Sequence, residues 1–111
     1  MKRKVLIIAS GNPRNSGSVA EAVRIAAGLS AHERLDVTFC FHNAAAEVLR
    51  VDSEDLVDGD LYADYLPVLA GSGMVLTTGV VANAPTSVPV RRITSDELRT
   101  LAASVDRVLG F

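Results

Sequence analysis

A three-layer α/β/α fold on a mostly parallel sheet of about five strands is what this sequence predicts, and three observations predict it. Short apolar runs bounded by turn residues alternate with amphipathic helical stretches. The apolar share of 49% is carried by Val, Leu, Ile and Ala with only 5% aromatic residues, the composition of a sheet covered on both faces by Ala-rich helices. The 111 residues suffice for one core and show neither an internal repeat nor a linker, so 1–111 reads as a single α/β domain.

Residues 5–9, "VLIIA", form a continuous apolar run between polar residues, which suits a buried strand. Ser18 and Glu21 have the spacing of a capping box. Val19, Ala22, Val23, Ala26 and Leu29 then share one face opposite Glu21 and Arg24, predicting a helix over 18–30. In 35–41, "LDVTFCF", Val37, Phe39 and Phe41 alternate with Thr38 and Cys40, the period of a second strand. Asn43 is placed to cap a helix through "AAAEVLR".

Five carboxylates in 52–60, "DSEDLVDGD", interrupt the pattern and read as a solvated loop. A helical segment, "LYADYLPVLAGSG", follows, with Pro67 inside it and Gly71 or Gly73 ending it. Residues 74–78 make a third strand, succeeded by the loop "GVVANAPTSVPV". Thr94 and Glu97 repeat the capping-box spacing before "SDELRTLAASVD", where Leu98, Leu101, Ala102 and Val105 form a stripe, and "RVLGF" closes the sheet.

The charge of -2 provides no general field for nucleic acid or acidic lipid. The single Cys40 excludes an internal disulfide and a CxxC pair, which fits a reducing compartment. "MKRK" has the charge of a signal-peptide start, but only "VLIIA" follows it, and no apolar run approaches the roughly 20 residues of a membrane span. The expectation is a cytoplasmic protein with no nucleic-acid partner and no membrane partner. His42 and His32 have no companions at ligand spacing, so no metal is expected.

Parallel sheets with helical crossovers bind ligands at the carboxyl ends of their strands. That edge should gather Asn12, Arg14, Ser16 and Ser18 after the first strand, His42 and Asn43 after the second, and Gly79 and Asn83 after the third. These eight residues are the candidate ligand-binding set, and none of them is nominated as catalytic. The loop "SGNPRNSGS" has the hydroxyls, guanidinium and adjoining helix start that hold a phosphate, and equally the residue types that a strand-to-helix turn requires. His42 reads as a general base or as a ring bonded to a backbone carbonyl. Cys40, mid-strand between two phenylalanines, reads as a buried core residue.

Two resemblances follow from these stretches. "KVLIIASGNPRNSGSVAEA" resembles the opening of flavodoxin-like NADPH-dependent FMN reductases, which implies FMN with its phosphate at Ser16 and Ser18. Asn12 stands where that family has serine, and its flavin loop after the third strand is missing. Over nearly the whole chain, the element order with "VTFCFHNAAAEVLR", "GSGMVLTTG" and the closing "DRVLGF" is similar to the DsrE-like sulfur-relay family, which includes the TusD-type carriers. This resemblance implies a flavodoxin-like, DsrEFH-like architecture, a homo-oligomer and a DsrE-family protein partner. It also implies sulfur transfer through a cysteine persulfide at the position of Gly79. The chain has no cysteine there, as in members that serve as partner subunits. The expected function is therefore a non-catalytic binding or partner subunit linked to intracellular sulfur relay, without a cofactor; the alternative is a small flavin- or nucleotide-phosphate-binding protein that uses the loop 10–18.

Overall fold

The computed structural model describes residues 2–79 and 88–111. Its elements in chain order are β1 (Arg3–Ala9), α1 (Ser18–Ser30), β2 (Leu35–Phe41), a 3₁₀ segment (Asn43–Leu49), a short 3₁₀ turn (Ser53–Asp55), α2 (Gly59–Ser72), β3 (Met74–Thr77), β4 (Arg91–Arg92), α3 (Ser95–Ser104) and β5 (Arg107–Gly110). The five strands are all parallel, in the order β4-β3-β2-β1-β5. Successive steps from β1 to β4 run in one direction, and the last step crosses back to the far side of β1. Right-handed crossovers then require α1 and α2 on one face and α3 on the other.

The two cores confirm that division. Val37, Phe39 and Phe41 of β2 pack with Val5 and Ile7 of β1 against Val19, Val23 and Ala26 of α1 and Tyr62, Leu66 and Leu69 of α2. Phe39 and Phe41 meet edge to face at 4.8 Å between ring centroids, each burial contributing about 1.5–3 kcal/mol. On the opposite face Leu6, Cys40 and Leu76 lie under Ile93 and Leu98, so Cys40 and Phe39 point to opposite layers as the alternation requires.

Several local expectations need correction. α1 spans the expected residues, but Gly17 is its N-cap, with no side-chain cap bond, and Glu21 pairs with Arg24 instead of closing a box with Ser18. Ser18 already lies inside the helix, and its N–H donates to Ser16 Oγ at 3.1 Å. Asn43 does not cap an α-helix. It begins a 3₁₀ segment with φ 52°, a left-handed conformation that asparagine tolerates. The third strand ends at Thr77, one residue early, and the two-residue β4 was not foreseen. The Thr94–Glu97 capping box is formed in full at the start of α3. Pro67 lies inside α2, which Gly73 ends. Among the described residues no helix is long and apolar enough to cross a membrane.

Candidate functional site

The register aligns Ala9, Phe41 and Thr77 across β1, β2 and β3, which places the residues following them side by side at the carboxyl edge. The backbone ties this edge together: the N–H of His42 donates to the Ala9 carbonyl at 2.9 Å, and that of Thr78 to the Phe41 carbonyl at 3.2 Å. His42 Nδ1 consequently meets Thr78 Oγ1 at 2.8 Å, with the donor set by the imidazole tautomer. The Asn43 N–H makes a longer 3.4 Å contact to the same oxygen. Beside the pair, Thr77 Oγ1 donates to the Phe41 carbonyl and accepts from the Gly79 N–H, each at 3.0 Å.

His42 also borders a recess of about 250 Å³ between the edge and α3, walled by Ile8, Leu98 and Ala102 with Ser95 and Arg99 at its opening. A hydroxyl bonded to an imidazole has the first two members of a nucleophile–base arrangement. The third is missing among the described bonds, because nothing orients the far side of the ring. The arrangement can therefore present hydrogen-bonding groups to a ligand, which is a binding chemistry. No cluster of three metal-ligating side chains occurs among the described residues.

The loop after β1 uses its polar groups on itself. Asn12 Oδ1 accepts from the Arg14 N–H at 3.0 Å, the Asn12 carbonyl accepts from the N–H groups of Asn15 and Ser16, and Ser16 Oγ accepts from the Ser18 N–H. The Arg14 guanidinium turns toward Glu47 of the 3₁₀ segment at 3.6 Å, an exposed pair of small energetic weight. Of the eight candidates, His42, Asn43 and Gly79 are thus brought together around Thr78. Asn12, Ser16 and Ser18 are bonded within the turn and Arg14 pairs with Glu47, while Asn83 lies outside the described residues.

Two features of the edge were missed in the sequence. Thr78, read as a strand residue, is the partner of His42; two hydroxyls in succession at the end of an aligned strand were the signal. Gly79 packs so tightly on the 3₁₀ segment that a Cβ there would stand 2.5 Å from the Cβ of Ala46. No side chain fits without movement of the backbone, since neither atom belongs to a flexible group. Cys40, the sole thiol, is fully buried in the second core, and burial pushes its pKa up to about 11.

Among solved structures, the chain is similar to the ychN protein from E. coli, with a TM-score of 0.79 and 25% sequence identity over 98% of this chain and 99% of that one. The correspondence runs nearly the full length of both chains, so the α/β architecture is shared as one unit. No family model matches the chain. No curated protein matches it either.

Proposed function

We propose that this chain is a non-catalytic binding or partner subunit of DsrE-like type, acting in intracellular sulfur relay beside a protein that carries the reactive cysteine. The observation that carries the reading is the closure of Gly79 against Ala46, at the position where the resemblance puts a carrier thiol. A persulfide needs an accessible thiolate, and the only sulfur nucleophile of the chain is buried and held protonated. The His42–Thr78 pair then serves to recognise a group offered at the edge.

The same proposal includes self-association in the cytoplasm. The edge strand β5 exposes Val108 and Leu109 at 44% and 38%, an unpaired apolar edge that a neighbouring copy would cover. Native mass spectrometry of the untagged protein tests this: the proposal predicts a ligand-free oligomer. A monomer would remove the self-association, and a flavin- or nucleotide-sized mass released on denaturation would replace the proposal with phosphate binding by the loop 10–18.

A further inference from the structure

The two edges of the sheet are finished differently. At one end of the strand order stands β4, two exposed arginines, and a short charged strand discourages further pairing. At the other end stands β5, whose residues Arg107–Gly110 are all exposed. Beyond its first residue it lacks those protections: Val108, Leu109 and Gly110 bring neither charge nor proline, and all three are open to solvent.

The backbone shows what that edge can accept. Phe111 gives both of its main-chain groups to β1, its N–H donating to the Ile8 carbonyl and its carbonyl accepting from the Ser10 N–H, each at 2.9 Å. Main-chain groups alternate sides along a strand, so Leu109 and Arg107 also turn to β1, in register with Ile7 and Val5. Val108 and Gly110 therefore direct theirs to the open side. Gly110 adds an independent sign, since its φ is not positive and a Cβ there would meet nothing within 4 Å. Its own chain does not require glycine, whereas the close approach of a second backbone accounts for one.

A second copy of β5, antiparallel about a twofold axis, fits these groups in one register. Centring the axis on Arg107 would set two guanidinium groups together. Centring it on Val108 would pair Gly110 with Asp106, whose N–H already donates to the Lys4 carbonyl at 2.9 Å. Centring it on Gly110 would carry Val108 past the end of the partner strand. An axis at Leu109 sets Val108 of each copy against Gly110 of the other, and every outward N–H and carbonyl of both residues is satisfied. The Leu109 side chains then meet across the axis, with Cα atoms about 4.5 Å apart. Arg107 and Phe111 share the face of Leu109, so each guanidinium lies beside the Phe111 ring of the other copy, a cation against an aromatic face. Arg107 is available for this, because it makes no ion pair among the described residues.

We propose, building on the self-association read above, that two copies join antiparallel through β5, centred on Leu109, into one continuous sheet. The contact is the same patch on both copies and leaves no open edge at the junction. Leu109→Cys places two thiols at the axis, while Cys40 stays buried. Copper–phenanthroline oxidation of folded Leu109→Cys should give a disulfide-linked dimer by intact denatured mass, and Val68→Cys, an exposed site on α2, should stay unlinked. Val108→Lys puts a charge on the edge and should halve the native mass of the untagged assembly. An unchanged native mass in Val108→Lys, or Leu109→Cys cross-linking no faster than Val68→Cys, would overturn the β5 interface while leaving self-association in place. A monomeric wild type would overturn both.

Discussion

Replacing Gly79 by alanine should destabilise the protein through one contact, and the size of the effect follows from the geometry. The added Cβ would lie 2.5 Å from the Ala46 Cβ and 3.5 Å from Thr77 Oγ1. Carbon atoms pack at about 3.5–4.0 Å, so the first contact is short by roughly 1–1.5 Å. Ala46 is 5% exposed and has no rotamer to change, which leaves a shift of the 3₁₀ segment as the relief. Overpacking of this kind costs about 1–3 kcal/mol, or a fall in Tm of at least about 4 °C. Ala46→Gly removes the opposing methyl. By itself it should cost about 1–2 kcal/mol from the lost methyl and the freer backbone. In the double variant the two changes should compensate by at least about 1 kcal/mol relative to their sum. Urea unfolding of the wild type, both single variants and the pair supplies the cycle. A Gly79→Ala protein within about 0.5 kcal/mol of wild type, or strict additivity in the cycle, would refute the claim that this edge is closed.

Other outcomes follow from the same structure. Gly79→Cys alone should not give a readily alkylated thiol at the edge, whereas Gly79→Cys with Ala46→Gly should; iodoacetamide labelling read by peptide mass distinguishes them. Burial pushes the Cys40 thiol from its ordinary value near 9.0 up to about 11 in the folded chain, so the unfolded chain loses its proton first and stability falls as pH rises between those values. Chemical unfolding across that window should show wild type losing about 2–3 kcal/mol relative to Cys40→Ala, and parallel curves would contradict the burial of the thiol. Thr94→Ala removes the acceptor for the Glu97 N–H and should cost about 1 kcal/mol in the same assay, with no loss of sheet signal by circular dichroism.

Patterns local in sequence were legible; contacts between distant segments were not. The alternation of Val37, Phe39 and Phe41 with Thr38 and Cys40 predicted both faces of β2, because a strand's period admits one arrangement once a face is buried. Thr94 and Glu97 predicted a capping box that forms, while Ser18 and Glu21 had the same spacing and formed none. Spacing does not specify which residue leaves the helix first, and at α1 that residue is Gly17. β4 owes its existence to pairing with β3 through Leu76–Arg91 and Thr77–Arg92, so two arginines in isolation carried no strand signal. At the candidate site, topology alone brought His42 and Gly79 to one edge. The His42–Thr78 bond and the Gly79–Ala46 contact depend on the register of β2 with β3 and on the path of the 3₁₀ segment, neither of which has a signature in the residues themselves. The loop 10–18 had two readings because the same residue types build an anion cradle and a turn; its side chains now hold its own backbone.

The central claim, that this chain does not itself carry sulfur, is tested most directly by exposing the folded protein to a persulfide donor, quenching, and measuring the intact denatured mass. The account predicts no gain of a sulfur atom on the native chain, with Cys40 becoming reactive only when the donor is added after unfolding. A stoichiometric gain of sulfur by the native protein would contradict it and would place the carrier thiol at Cys40 after all.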